Sequence, residues 1–193
     1  MEQAQVLTFL NNKDRDLLLQ FCGYSTTEPL HSFGPAVRPH YIIHFILNGK
    51  GIFQIREKTY HLETGQGFLI EPDELTFYQS DAQEPWEYLW IGFNGKMIPE
   101  FLKQIGLSSA HPIFHCDKKK ELYWLVNDML VHSKSNFSSD LRRTGLLYEF
   151  LSILALNPLE SDQQVDSEYM YINQAIEYIK NNYWDCLLYT SDA

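Results

Sequence analysis

The clearest structural signal in the chain is the stretch Val37-Arg-Pro-His-Tyr-Ile-Ile-His-Phe-Ile-Leu-Asn-Gly-Lys-Gly51. Residues Tyr41 to Leu47 are β-branched, aromatic or apolar apart from His44, and this composition is typical of a buried strand. Asn48-Gly49 follows at once, and this dipeptide suits the two positive-φ positions of a tight hairpin. The stretch therefore predicts a strand that continues into a hairpin.

More short strands follow, separated by turn-forming residues such as Thr64-Gly65-Gln66-Gly67 and Pro72-Asp73. They are predicted at Ile52 to Arg56, Thr59 to Leu62, Phe68 to Ile70, Thr76 to Gln79 and Trp86 to Phe93. Short strands joined by short turns close most easily into an antiparallel barrel or jelly roll, because closure removes the exposed edges. A barrel of this size can hold one small ligand.

The segment before these strands is less regular. Asp14 to Phe21 fits either a short helix or an apolar strand, and Cys22 to Pro29 reads as the end of a strand. Pro29, Pro35 and Pro39 then hold the chain extended, since each proline restricts itself and the residue before it. We expect an N-terminal arm that lies across the mouth of the barrel.

The pattern becomes helical after Phe93. Helices are predicted at Lys96 to Leu107, after a cap at Asp117, and from Ser138 to about Leu156. The third helix is apolar over an arc wider than one sheet face usually covers, so we expect it to pair with the same helix of a second copy. The residues predicted at this dimer interface are Leu147, Phe150, Leu151 and Leu154.

Beyond Asn157-Pro158 the sequence predicts a polar linker over residues 159–168 and an amphipathic helix from Tyr169 to Tyr183. The residues after Asp185 continue no earlier pattern, and we expect a truncated or junction-derived end. The predicted segments are therefore a barrel with its arm over residues 1–95, a helical subdomain over 96–158, the linker, and the start of a further domain over 169–193.

Composition limits the class of protein. The chain has 193 residues, 45% of them hydrophobic, and a formal net charge of −10. This is a folded, acidic chain whose longest basic cluster is Lys118-Lys119-Lys120, which makes it a poor candidate for binding DNA by itself. Three widely spaced cysteines argue against a disulfide framework and a structural zinc. With no secretory signal and no apolar run long enough for a bilayer, we expect a cytoplasmic protein without membrane contact.

Two features of the predicted barrel suit a carbohydrate. Arg38 is a fixed cation with a fork of donors for ring hydroxyls or an anionic substituent. Along the last strand, Tyr88, Trp90 and Gly92 share one face, and a tryptophan face packs well on the apolar side of a pyranose. The alternative is that Tyr88 and Trp90 are ordinary core residues. No Ser-His-Asp set, phosphate loop or close carboxylate pair supports catalysis.

The order of these segments resembles the AraC/XylS family of bacterial transcription regulators, in which a cupin-like barrel, helices and a linker precede helix-turn-helix units. The family's recognition helices have no counterpart here, so the resemblance implies that DNA is bound only through a part missing from this chain. The motifs that carry the resemblance are Cys22-Gly-Tyr24, Gly34-Pro35 to Arg38-Pro39, His40 to Gly51, Gly65-x-Gly67-x-x-x-x-Pro72, Trp86 to Phe93 and Tyr171 to Tyr183.

The resemblance also implies a site. Tyr78, Tyr88 and Trp90 match positions that line the sugar pocket of an arabinose-responsive member of the family, and Arg38 matches a further one. His44, which points to the same face of its strand as His40, is included in the predicted ligand-binding set. The implied function is effector sensing and dimerisation, with a carbohydrate and a second copy as partners.

A metal-dependent cupin enzyme, such as a sugar isomerase or dioxygenase, is the alternative. When Gly49 and Pro72 are placed on the cupin metal motif, its four ligand positions fall on residues that are not credible ligands, so no metal cofactor is expected. A His40 and His44 pair keeps the enzyme alternative open. A third possibility is a barrel that is filled, binds nothing and serves only dimerisation. The four residues at the cupin ligand positions are Ala36, Arg38, Ile42 and Phe77.

Overall fold

The computed structural model describes residues 3–8 and 15–156, which all belong to one compact unit, Met1–Leu159. The predicted linker, the helix from Tyr169 to Tyr183 and the tail lie outside the described residues. The described elements are β1 (Gln3–Thr8), β2 (Leu18–Thr26), β3 (Ser32–Val37), β4 (Tyr41–Asn48), β5 (Lys50–Ile55), β6 (Lys58–Glu63), β7 (Gln66–Ile70), β8 (Leu75–Ser80), β9 (Glu87–Asn94), α1 (Ile98–Ile105), β10 (Ile113–His115), α2 (Lys119–Val131) and α3 (Phe137–Ala155).

The strands form two antiparallel sheets. The larger sheet has the order β1-β2-β9-β4-β7-β10, and the smaller one has the order β3-β8-β5-β6. Six predicted strands correspond to β4 through β9, and the three predicted helices correspond to α1, α2 and α3. The structure thus confirms the predicted fold class, a mainly β protein with a two-sheet antiparallel barrel followed by helices.

The hairpin predicted at Asn48-Gly49 is wrong. β4 pairs with β7 and β9, whereas β5 pairs with β6 and β8, so the chain crosses from one sheet to the other at this point. Gly49 has a φ of 79°, and Asn48 is not among the described non-glycine residues with positive φ. A Cβ at position 49 would also come within 2.7 Å of the Trp86 Cα, so glycine is required here by both conformation and space.

The prediction of an N-terminal arm across the barrel mouth is also wrong. Ser32–Val37 is an edge strand that pairs with β8 and so belongs to the barrel wall. Prolines are tolerated there because an edge strand leaves part of its backbone unpaired. The ambiguous segment before it forms β2, an inner strand of the larger sheet, and Gln3–Thr8 pairs with β2 as an additional edge strand.

Two cores lie on opposite faces of the larger sheet. One side of β4 and β9 contributes Ile43, Phe45, Leu89 and Ile91 to a core shared with the helices. The other side contributes Ile42, Ile46 and Tyr88 to a core shared with the smaller sheet. β4 is consequently buried on both faces, which explains its nearly continuous apolar sequence.

Helix α3 is anchored within the monomer. The side chain of its N-cap, Asn136, accepts a hydrogen bond of 2.9 Å from the backbone N–H of Ser139. The N-cap of α2 is Lys118, without a side-chain cap, so the predicted cap at Asp117 is wrong.

In the described part of the chain, no helix is both long and apolar enough to span a membrane.

The predicted dimer interface needs correction for a physical reason. All four of its residues are buried in the core that α3 shares with the sheet and the other helices, so they are not available to a partner. A wide apolar arc on a helix indicates burial, but it does not distinguish a partner helix from a core within the same chain. The four residues of the predicted dimer interface are Leu147, Phe150, Leu151 and Leu154.

Leu151→Ala tests this correction. We expect it to lower the free energy of unfolding by about 2–5 kcal/mol, the range for a leucine removed from a packed core. The control is Leu75→Ala on β8, where the side chain is 58% exposed, and a loss below about 1 kcal/mol is expected. Urea denaturation of both variants measures the difference. Equal, small losses would show that Leu151 does not lie in the monomer core.

Candidate ligand-binding site

The barrel interior is built from two cross-strand rows of side chains. In the larger sheet, the register aligns Phe68 on β7, His44 on β4 and Trp90 on β9. In the smaller sheet, it aligns Phe33, Tyr78, Phe53 and Tyr60 across β3, β8, β5 and β6. Directly opposed residues of antiparallel strands point to the same side, so each row presents its rings together.

The two rows contact each other through their rings. Phe53 lies 4.2 Å from Phe68 between ring centroids, and His44 lies 4.9 Å from Tyr78. The second distance falls in the range of about 4.5–7 Å that is usual for aromatic pairs, and the first is slightly shorter. The rows therefore lie face to face between the two sheets, and they place an imidazole among aromatic rings.

His44 is neutral in this environment. Its ring stacks on Phe68 at 4.6 Å with 10° between the planes, and only 3% of the residue is exposed. Burial, and next the positive charge of Arg38, lower the pKa of His44 to about 3. At neutral pH the imidazole therefore has one nitrogen that donates and one that accepts a hydrogen bond.

Arg38 lies at the open end of the second row. Its guanidinium carbon is 3.8 Å from the centroid of Phe33, which in turn stacks on Tyr78 at 5.8 Å. The Arg38 carbonyl accepts a 2.9 Å hydrogen bond from the backbone of Asp73, which fixes the residue just after β3. Phe33 is 42% exposed. The cation thus sits where the aromatic row reaches solvent.

Two tryptophans complete the interior, and each packs over a glycine of another strand. Trp90 lies over Gly23 of β2, and Trp86 lies over Gly51 of β5; a Cβ at either glycine would overlap the indole ring. Tyr88 lies between them, with its ring 5.2 Å from Trp90 and 5.9 Å from Trp86. Trp90 is half-buried, whereas Trp86 is fully enclosed.

Three buried polar atoms in this interior lack a hydrogen-bond partner. They are Arg38 Nε, His44 Nδ1 and Trp86 Nε1, and no other buried side-chain nitrogen or oxygen among the described residues shares this state. Each unpaired buried group costs about 1–3 kcal/mol. A few such groups are ordinary in a native protein, but these three lie on residues of one compartment. The arrangement is suited to a ligand that supplies the partners.

The structure places all five sequence-predicted residues in this one compartment. Arg38, His44, Tyr78, Tyr88 and Trp90 are joined by the ring contacts given above and by the charge of Arg38 acting on His44. Their role in binding a ligand stays a prediction.

Sequence reasoning missed Trp86 and Phe33. Trp86 precedes Tyr88 and Trp90 at alternate positions, which is a signal that would have found it. Phe33 gave no such signal, because its segment was assigned to an arm.

The other histidine of the strand has different contacts. His40 Nδ1 lies 2.9 Å from Asn94 Nδ2, and the His40 ring packs edge-on against Phe21. Within residues 3–8 and 15–156, no three His, Cys, Asp or Glu side chains are grouped so that they could hold a metal ion. A paired His40 and His44 metal site therefore has no support from the described contacts.

Comparison with known proteins gives one family match and several similar regulators. The AraC-like ligand binding domain family matches residues 18–151. The Msm operon regulatory protein of Streptococcus mutans is 35% identical over 180 residues, which are 89% of this chain and 63% of that protein. The lactose operon transcription activator of Staphylococcus xylosus is 29% identical, with 87% of this chain and 61% of that protein covered.

A third regulator, the raffinose operon transcriptional regulatory protein RafR of Pediococcus pentosaceus, is 26% identical over 90% of this chain and 65% of that protein. The chain thus spans a little under two thirds of each regulator's length.

Solved structures are more distant. YhaK of Escherichia coli has a TM-score of 0.43 and 14% identity, covering 49% of this chain and 45% of that one. A cupin 2 conserved barrel domain protein of Salinispora arenicola has a TM-score of 0.40 and 14% identity, covering 53% of this chain and 84% of that one. The fold described above rests on the strand pairing and the two cores of this chain.

The neutral state of His44 makes stability depend on pH. An unfolded histidine binds a proton below a pH of about 6.5, whereas folded His44 stays neutral until the pH approaches 3. The unfolded state then binds more protons, so the free energy of unfolding falls as the pH decreases, by up to about 1.4 kcal/mol per pH unit. Urea denaturation at pH 7.5, 5.5 and 4.5 should show this loss in the wild type and less of it in His44→Phe. Identical pH dependence in both proteins would contradict a neutral, buried His44.

Proposed function

The chain belongs to the family of AraC-like ligand-binding domains, and from this we propose that its barrel binds a small carbohydrate and thereby controls a transcription regulator. The observation that carries the proposal is the group of unpaired polar atoms on Arg38, His44 and Trp86 within an aromatic compartment. Sugars combine apolar C–H faces with many hydroxyls, so they match aromatic rings and unpaired donors in one site.

The names of the relatives point to particular sugars as candidate ligands. Two of them are named as regulators of a lactose operon and a raffinose operon, and both of these sugars contain a galactose unit. We propose that Trp90 and Tyr88 pack against a sugar ring and that Arg38 binds hydroxyl oxygens at the mouth. Tyr78, on the smaller sheet, forms the opposite wall, and its ring contacts that of His44, which lies beside Trp90 in the larger sheet.

The proposal is a binding role without a catalytic step. All three relatives are named as operon regulators. The interior polar groups that lack partners are two obligate donors and a neutral imidazole, which hold and orient a ligand. A regulator of transcription acts where the bacterial chromosome is, so the proposed location is the cytoplasm.

We also propose a homodimer, formed by the outer face of α3. Leu141, Gly145, Tyr148, Ser152 and Ala155 are all exposed and follow one another at intervals of four and three residues. This spacing is the seam of a helix pair. A Cβ at Gly145 would meet no described atom within 4 Å, so the monomer does not need glycine there, whereas a closely approaching helix does.

Ligand binding and association are coupled in this proposal. An effector that binds one conformation of the barrel better than another shifts the equilibrium toward it. The helices pack on the outer face of the same sheet, and the predicted first helix of a DNA-binding part, Tyr171 to Tyr183, follows α3 in the chain. The regulator's response on DNA would then depend on the occupancy of the barrel.

Loss of the stacking or the charged contact should weaken sugar binding. Trp90→Ala and Arg38→Ala are each expected to weaken binding of lactose or raffinose by about 1–3 kcal/mol, the scale of one such contact. Titration calorimetry measures it. The matched control is Trp124→Ala, because Trp124 is half exposed on α2 and should leave the affinity unchanged. Unchanged affinity in both site variants would contradict the proposed pocket.

Leu141→Glu should give a monomer, because it places a charge within the proposed seam. The control is Leu75→Glu, where an exposed leucine of the smaller sheet is replaced in the same way and the dimer should persist. Sedimentation velocity distinguishes the two species. A dimer that survives Leu141→Glu would move the interface away from α3.

A further inference from the structure

We propose that Trp86 determines effector specificity, by donating a hydrogen bond from its indole N–H to one particular hydroxyl oxygen of the sugar. This inference rests on the proposed function and adds to it a residue role and a selection rule. Trp90 would provide the apolar platform, and Trp86 would decide which sugar is accepted.

The Trp86 side chain is held in place from several directions. Its carbonyl accepts hydrogen bonds from the Thr27 backbone N–H at 3.2 Å and from the Thr27 hydroxyl at 2.8 Å. Its ring lies over Gly51 on one side and contacts Tyr88 and Tyr78 at 5.9 and 6.3 Å. A donor fixed by its own backbone and by its neighbours loses little entropy when a ligand binds.

The chemistry of the unpaired atoms dictates what the ligand must present. The indole N–H of Trp86 and the Nε–H of Arg38 can only donate, so both need acceptor oxygens. His44 Nδ1, on a neutral ring, pairs either with an acceptor or with a hydroxyl hydrogen, according to its tautomer. A sugar hydroxyl can satisfy each of these groups because it both donates and accepts.

Selectivity follows from burial. Trp86 is 1% exposed and its N–H is unpaired in the free protein, so a sugar with the matching hydroxyl gains a hydrogen bond that an analogue without it cannot form. Sites built to bind a hydroxyl reject the analogue without it far more strongly than apolar pockets reject a missing methylene. Trp90, which is half-buried and stacks, discriminates little between epimers that share an apolar face.

The test is a calorimetric titration of the full chain with methyl galactoside and its 2-, 3-, 4- and 6-deoxy analogues, alongside lactose and raffinose. We expect one deoxy analogue to bind the wild type about tenfold more weakly than the parent sugar, the scale of one buried hydrogen bond. Trp86 is then replaced with benzothienylalanine, which exchanges the N–H for sulfur and keeps the ring shape. In this protein, the parent sugar should bind as weakly as that analogue.

A control variant, a second variant of Trp86 and a spectroscopic measurement complete the test. The same replacement at Trp124, on the outer helix surface, should leave every affinity unchanged. Trp86→Phe provides a second variant if the first does not fold, and it should abolish the same discrimination. On the wild type, the indole N–H resonance of Trp86 in a 15N spectrum should shift with the parent sugar and stay in place with the selective analogue.

The outcomes separate this inference from the proposed function. If the wild type binds none of the sugars, the proposed function fails and the role of Trp86 fails with it. If the sugars bind but the Trp86 variants discriminate between parent and deoxy sugars as the wild type does, only the role of Trp86 is overturned. A Trp86 resonance that does not respond to any bound sugar would overturn it as well.

Discussion

The contact between the two cross-strand rows is the interaction on which the rest of this barrel depends. Phe68, His44 and Trp90 line one sheet, and Tyr78 and Phe53 line the other, with the closest ring centroids 4.2 Å apart. These ring contacts join the two sheets on the inside of the barrel. Because the rings are bulky, they also hold an imidazole nitrogen and an indole N–H away from water, and both atoms are buried without a hydrogen-bond partner.

Glycines determine where these rings can lie. Gly23 and Gly51 stand under Trp90 and Trp86, and Gly92 stands under Phe21 in the same way. A large ring over a glycine fills the place of the missing side chain and tilts along the sheet. The glycines of β2, β5 and β9 are therefore explained by packing, since none of the three is among the glycines with positive φ.

Much of the barrel was predictable, because strands of alternating or wholly apolar sequence carry a strong local signal. β4 through β9 and the three helices follow from it. The pairing partners were not predictable from local sequence: Asn48-Gly49 has the composition of a hairpin turn, yet β4 and β5 belong to different sheets. β4 is buried on both faces, so it pairs with strands such as β9 that also contribute side chains to both cores.

The candidate site was predictable to a similar extent. The alternation along β9 identified Tyr88 and Trp90, and Arg38 stood out as a cation between Val37 and Pro39. Phe33 was missed because prolines suggested an arm where the chain forms an edge strand. The apolar arc of α3 was interpreted as an interface because amphipathicity shows that a face is buried without showing against what. Leu141 and Tyr148, on the exposed face of α3, form a weaker apolar pattern than the buried residues of the same helix, so the sequence did not single them out.

The two faces of β9 connect the site to the helices. Tyr88 and Trp90 face the barrel, and Leu89, Ile91 and Phe93 belong to the core that also contains Leu147 and Phe150 of α3. In the proposed function, a displacement of Trp90 by a ligand would also displace Leu89 and Ile91, its neighbours along the strand. Packed cores respond to such a displacement by changing between discrete arrangements, since they cannot deform continuously. In the proposed function, the strand that would contact the ligand shares one core with α3, so no separate relay through loops is needed.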